Sequence, residues 1–526
     1  MFRTVGCMVL VILAVTFIGQ GVNPAELTVG MRGEPNLDPH FLYLMTHLSY
    51  YAHFYGKLVD QDDKMRVVPD LAVSWKTLDE TTWEYRLRRG VKFHDGSDFT
   101  AEDVVFSIKR IPTILNSPNP YTGHIRSIVG MEVVDPYTIR FKTDRPDPLL
   151  PANLSRVVIV SRKAAEGATT ADFNSGKAAI GTGPYKLVQF TPGDRLVLAR
   201  NDQYWGTKPY WDRITFRMIS NDSARVASLL GGDVDMIEYV PPTEAPSLEK
   251  NKNLSVFKRP TARVIYLCLN QTLEKSPYLT TKDGKPLDKN PLQDARVRKA
   301  ISMGIDREAI CSKVMEGLAA PASQLLPEGM FGYNPGIKVE KYDPASARRL
   351  LAEAGYPNGF GLTIHRPNDR YVNDAKICQA VAQMLARIGL TLKVETMPVN
   401  VMMGKVKPPT GEYAVFMIGW GNPSGESTDA MIQIFHSYNK DAGYGAINHS
   451  NYVNPEVDRL AEQAGTTIEN AAREKILQRA MELAMNDLAY VPLHAQYIIL
   501  ATRKGLTAVP RMDEQTIVLD VKPEKL

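Results

Sequence analysis

From residue 343 onward, helices and strands alternate at short intervals, and this alternation constrains the fold more than any other feature. In "DPASARRLLAEAG", Asp343 is an N-cap, Pro344 takes the first helical position and Gly355 stands just past the end. Its Ala347, Leu350, Leu351 and Ala354 share one face. "NDAKICQAVAQMLARIG" repeats the design, with Ile377, Val381, Met384, Leu385 and Ile388 turned inward and Gly389 as the stop. "NPEVDRLAEQA" and "NAAREKILQRAMELAMND" are further capped helices, and "LTLKVETM" and "YAVFMIGW" read as strands. The first half adds strands: "LTVGM", "TWEYRLR" and "YTIRFKT", then "YKLVQF", "RLVLARN" and "RITFRMI". Strands and helices joined by short loops predict an α/β fold.

At 526 residues the chain is long enough for about three folding units. A net charge of +4 is small for this length and decides nothing about a nucleic-acid partner, and no basic run supports one. Arg3 precedes an apolar run over residues 5–18, followed by small and polar residues. That is the layout of a secretory signal peptide over residues 1–25, cleaved after Gly21 or Ala25, and the run is short for a membrane span. Cys7 lies too early in the run for a lipid anchor, so the mature protein is expected to be exported and free. Cys268, Cys311 and Cys378 then remain, an odd number in apolar settings, and read as buried hydrophobes rather than a disulfide framework.

In residues 91–110, "VKFHDGSDFTAEDVVFSIKR", His94, Asp95 and Asp98 fall within five residues, close enough together for a site. Local structure accounts for them. Asp95-Gly96 is a turn signal, Thr100 with Asp103 is a capping-box pattern, and Ala101, Val104, Val105 and Ile108 form one helix face. The spacing is not that of metal ligands.

The same stretch closely resembles the hallmark segment of the family 5 extracellular solute-binding proteins, the dipeptide-, oligopeptide- and nickel-type receptors of ABC importers. Other segments agree in order: "NLDPH", "VVPDLAVSW", "GTGPYKLVQFTPGD", "RVASLLGGDVDMI", "DARVRKAISMGIDREAI" and "DPASARRLLAEAGYP". The resemblance covers essentially all of the mature chain. It implies a two-lobed clamp, class II and of the large cluster C type, with an extra domain inserted in the first lobe. Lobe 1 would comprise residues 26–57, 184–262 and 497–526, the inserted domain 58–183, and lobe 2 263–496. The chain would cross between lobes at "VIYLCLN" and "VPLHAQYIILAT", with ligand bound between the lobes and hinge closure around it.

In the peptide receptors of this family, a strand ending in Gly-Trp leads into a loop whose aspartate holds the ligand's α-amine. Here the loop is "GWGNPSGE", with Pro423 where that aspartate would be, and it resembles the loop of the glutathione-binding branch. This makes Trp420, Gly421, Asn422 and Glu426 candidate ligand contacts, with Glu426 either replacing the aspartate or capping the next helix. "HRPNDRYVND" gathers Asn368, Asp369, Arg370 and Tyr371 in a loop at the C-terminal end of a strand, a place that ligands favour in α/β folds. Arg370 either holds a carboxylate or pairs with Asp369. Tyr43, Leu44 and Met45 align with a stretch whose main chain pairs with bound peptide as an added strand; the alternative is apolar packing.

No H-E-x-x-H, P-loop or G-x-S-x-G appears, and "GTGPY" precedes a strand rather than a helix, so neither an enzyme nor a phosphate cradle is indicated. A metal chelate or haem on the same fold stays open as an alternative. The expected protein is a monomeric periplasmic receptor without cofactor. It would capture a short or modified peptide and deliver it to a membrane permease and its ATPase subunits.

Overall fold

The computed structural model describes residues 25–368 and 370–524; the apolar run of the expected signal peptide, and Asp369, lie outside the described residues. Among these residues twelve strands form one mixed sheet. Toward one end lie Tyr185–Thr191, Arg195–Arg200 and Arg213–Met218, antiparallel, with Glu26–Met31 parallel to the last. Toward the other, Val415–Trp420, Gly361–Pro367 and Thr391–Met397 run parallel. The α/β class expected from the alternation is therefore what forms.

Two long antiparallel strands, Leu254–Leu269 and Tyr490–Arg503, join the halves of the sheet and contain the two stretches at which crossings are expected. Their pairing runs from Leu254 opposite Arg503 to Pro260 opposite Tyr497, breaks, and resumes at Val264 opposite Ala495. Pro260 has no N–H to contribute to the ladder. Within the break, the Ala262 N–H donates to the Met512 carbonyl at 2.8 Å and the Thr261 hydroxyl to the Gln496 carbonyl at 3.0 Å. The C-terminal segment thus replaces a strand partner where the lobes meet.

The expected helices form at Pro344–Glu353, Asp374–Ala386, Pro455–Thr466 and Asn470–Asp487. Asp343 caps the first through the Ser346 N–H at 2.9 Å, and Gly355 and Gly389 take the left-handed φ of +93° and +99° that end helices. One cap differs. Asn373 precedes Asp374–Ala386 with φ +54°, and its side chain donates to the Val314 carbonyl at 3.0 Å instead of capping. Cys268, Cys311 and Cys378 are buried and free. No helix among the described residues is long and apolar enough to cross a membrane.

A separate four-stranded antiparallel sheet, in the order Ala72–Asp79, Thr82–Leu87, Thr138–Thr143, Ile128–Asp135, packs its own core around Tyr85, Phe93, Phe99 and Phe141. The 91–110 segment serves this unit. Gly96 turns at φ +84°, Asp95 accepts from the Ser97 N–H at 3.0 Å, Asp98 pairs with Lys92 at 2.6 Å, and Asp103 accepts the Thr100 N–H at 2.9 Å. His94 reaches farther: its Nε2 lies 3.0 Å from the Gly183 carbonyl, while Nδ1 takes the Gly181 N–H at 3.4 Å. Those partners place the proton on Nε2, and burial pushes the imidazole pKa down to about 4, so it is neutral at pH 7.

Asp70 leads into this sheet. Burial, with Asp60 nearby, lifts its carboxyl from 3.8 to about 7, against the Lys57 N–H that it accepts at 2.8 Å. Such a group binds its proton more tightly in the folded chain. Its stabilising contribution is complete below pH ~4 and is lost as the pH rises through ~7. Asp70→Asn should therefore gain stability relative to the parent protein as the pH is raised from ~4 to ~8, read by urea unfolding. A difference independent of pH would contradict this.

Candidate functional site

The lobes enclose a cleft of about 890 Å³. One wall carries Arg32, the 43–46 stretch and residues 239–243; the other carries Met315, Leu318, Asn368 and residues 370–373. The floor is made where the crossing strands part, by Arg263, Gln496, Tyr497 and Glu514.

The floor is held by charge. Arg263 grips Glu514 with two parallel bonds, Nε to Oε1 and Nη2 to Oε2, each 2.9 Å. The Thr261 hydroxyl also lies 3.2 Å from Oε1, so its one proton is shared between that oxygen and the Gln496 carbonyl. Burial alone would raise the Glu514 carboxyl, but Arg263, helped by Thr261 and by the charge of Arg370, holds it below its ordinary value. Glu514 sits at φ +63°, and its carbonyl receives the Tyr239 hydroxyl at 3.0 Å. Tyr239 is itself left-handed at φ +48°, and Arg32 stands 5.9 Å above its ring. Two residues in this strained region side by side are tolerated only where surrounding bonds over-determine them.

Six of the residues expected from sequence line this cleft: Tyr43, Leu44, Met45, Asn368, Arg370 and Tyr371. Tyr371 is anchored by its hydroxyl, which donates to the Gly419 carbonyl at 3.0 Å. The 43–45 stretch meets the space differently from an added-strand platform. The Tyr43 N–H already donates to the Asn119 carbonyl at 2.9 Å, and its carbonyl accepts from Asn119 Nδ2 at 2.7 Å. The Leu44 carbonyl accepts from His47 and Leu48 as the helix Met45–Phe54 begins. Main chain committed in this way is not free for a peptide strand, so this stretch presents side chains. Arg156 steadies them, donating to the Tyr43 hydroxyl at 3.0 Å.

Trp420, Gly421, Asn422 and Glu426 stand beside the cleft rather than on its surface. Trp420 pairs with Val264 and packs half-buried on the second-lobe core. A methyl group on Gly421 would meet Arg263 Nη2 at 2.9 Å, so this glycine is what lets the loop lie against the floor arginine. Asn422 is fully buried and closes its own loop, donating to the Glu426 carbonyl at 3.1 Å. Glu426 does not cap Ser427–Ala430. Its Oε2 instead pairs with Arg473 at 3.1 Å, both side chains being buried, and the guanidinium stacks 4.8 Å over Phe331. Burial lifts this carboxyl above its ordinary value and Arg473 offsets part of the rise.

Arg32, Tyr239, Arg263 and Glu514 were not singled out from sequence. Arg263 did leave a signal, as a lone charge within the apolar run "PTARVIYLCLN". Its partner lies 251 residues away, with nothing local to announce it. Among the described residues no group of three or more His, Cys, Asp or Glu side chains is arranged to share a metal ion.

A model of the bacterial extracellular solute-binding proteins, family 5, matches residues 66–442. The glutathione-binding protein GsiB of Escherichia coli (strain K12) is 29% identical over 479 residues, covering 90% of this chain and 89% of its own. Among solved structures, HbpA2 from Haemophilus parasuis has a TM-score of 0.82 at 23% identity, over 95% of this chain and 100% of its own. The unliganded open form of the periplasmic murein tripeptide binding protein MppA has a TM-score of 0.81 at 24% identity, over 95% and 98%.

Proposed function

The chain belongs to the bacterial extracellular solute-binding proteins, family 5, receptors rather than enzymes, and on that premise we propose that it captures a short or modified peptide in the interlobe cleft for an ABC importer. The observation that carries this reading is the cleft itself. Its two walls belong to different lobes, and its floor is the point where the crossing strands lose their pairing. A solute that touches both walls favours the closed form by its differential affinity for the two states, and closure makes no bond and breaks none. Tyr43, Leu44, Met45, Asn368, Arg370 and Tyr371 make the contacts; Asp369, outside the described residues, belongs to the proposed set on the sequence alone. Gly421 lies against the floor arginine Arg263, and Trp420, Asn422 and Glu426 flank it along the same strand and loop.

The similarity to a glutathione-binding relative supports a ligand of about tripeptide size. The boundaries follow the same reading: lobe 1 from residues 26–57, 184–262 and 497–526, an inserted domain at 58–183, and lobe 2 at 263–496. Residues 1–25 act as the signal peptide, the mature monomer works in the periplasm, and the closed form is read by the permease and its ATPase subunits.

The test is mass spectrometry of small molecules released by denaturing the protein purified from its native periplasm, followed by calorimetry with the molecule identified. A peptide or glutathione mass is expected, with stoichiometric binding and a smaller radius of gyration on addition. A sugar, an opine or a metal chelate would keep the clamp and overturn the peptide.

A further inference from the structure

We propose that the solute carries two carboxylates, one received by Arg32 on the first wall and the other by Arg370 on the second; this rests on the interlobe cleft being the ligand site. The argument is a balance of charge. Among the described residues that line the cleft, the cations are Arg32, Arg263 and Arg370 and the acids are Asp222 and Glu514. Both acids are committed. Asp222 pairs with Arg225 at 2.7 Å, and Glu514 is held by Arg263 through two bonds.

The two remaining cations are not committed. Neither Arg32 nor Arg370 has an ion-pair partner among the described residues, and both are solvent-exposed. Glu238 is an acid close enough to feel Arg32. Its carboxylate, however, is buried and taken by the Arg32 backbone N–H at 2.8 Å and the Thr516 hydroxyl at 2.6 Å. At 5.9 Å from the ring centroid, Arg32 is at the outer limit of a cation–π contact with Tyr239, which holds it loosely.

A cleft built in this way offers two forked donors, each matched to a carboxylate and set on opposite lobes. A neutral or singly acidic solute would leave one of them unpaired as the walls approach. A doubly acidic one is gripped from both sides, so the same contacts that bind it also drive closure. An amine on the same solute finds no uncommitted acid on the described lining. The arrangement therefore selects for acid at both ends of the ligand.

The test uses the full mature chain stripped of ligand and an equimolar pool of di- and tripeptides of matched size, each present with two, one or no free carboxylates, the others being esterified. Native mass spectrometry reads what stays bound, and calorimetry gives affinities for the retained members. Retention of the doubly acidic members, with at least tenfold loss per esterified carboxylate, is expected. Arg32→Gln and Arg370→Gln should each abolish the preference for one of the two carboxylates, leave the other intact and leave the chain folded with a Tm close to the parent's, since neither side chain has an ion pair to lose. Equal retention of acids and esters, or variants with unchanged preference, would overturn the two-arginine reading while the receptor stands. If no peptide of any charge is retained, the peptide reading of the cleft falls, and this inference with it.

Discussion

Glu426→Gln is expected to destabilise the protein by about 3–5 kcal/mol, the usual cost of removing one partner of a buried ion pair. Arg473 would be left with its charge in a buried site, against Phe331 and Asn470, with no carboxylate to answer it. Burial raises the carboxyl even beside Arg473. The penalty comes from orphaning one member, not from losing an attraction. It follows that Glu426→Gln combined with Arg473→Met should recover most of the loss, because a thioether packs well on Phe331 and leaves no charge behind. Urea unfolding of the two single variants and the double variant provides the cycle. A different result assigns a different role. If Glu426→Gln is as stable as the parent but binds its ligand at least tenfold more weakly, this carboxylate faces the solute and Arg473 only orients it.

What the residues revealed in advance divides along a physical line. Features set within a few residues were legible: the Asp343 cap and its Gly355 stop, the Asp95-Gly96 turn, the Asp103 bond back to Thr100, and the apolar faces that became buried cores. The crossing strands were expected at "VIYLCLN" and "VPLHAQYIILAT" because the resemblance implies crossings there, and these two runs do pair antiparallel in the sheet. The family and its clamp were legible because the resemblance runs along the whole mature chain, and the match over residues 66–442 bears it out. The floor of the cleft was not. Arg263 meets Glu514 from 251 residues away, Arg32 stands over Tyr239, and Tyr239 and Glu514 adopt backbone angles that no side chain announces. Long-range charge pairing leaves almost no local pattern, and for the same reason Glu426 could be read as a cap or a ligand contact when its nearest charge is Arg473.

Gly181→Ala is expected to cost at least ~3 kcal/mol, at the upper end for forcing one extra methyl group into a packed site. The "GTGPY" glycines look like a phosphate loop in composition, but their role is close approach of two backbones. A Cβ on Gly181 would fall within the envelope of the Phe54 carbonyl oxygen and 2.7 Å from Tyr55 Cδ1; on Gly183 it would lie 2.6 Å from the Phe54 carbonyl carbon and 2.9 Å from the His53 carbonyl oxygen. Most of these obstacles are main chain at the fully buried end of Met45–Phe54, which cannot swing aside as a flexible side chain would. On its other side the loop is fixed by the 91–110 segment. The His94 N–H donates to the Gly181 carbonyl at 2.9 Å and the imidazole holds Gly183, so the loop cannot back away without breaking both. Gly193→Ala is the control: it has φ +74° but nothing within 4 Å, so only left-handed strain of about 1 kcal/mol applies. Because the helix ending at Phe54 begins at Met45 on the cleft wall, Gly181→Ala should weaken ligand binding as well as stability, whereas Gly193→Ala should leave binding unchanged. Urea unfolding and calorimetry on both variants decide it. A Gly181→Ala protein within ~1 kcal/mol of the parent would mean that this crossing has slack the packing does not show.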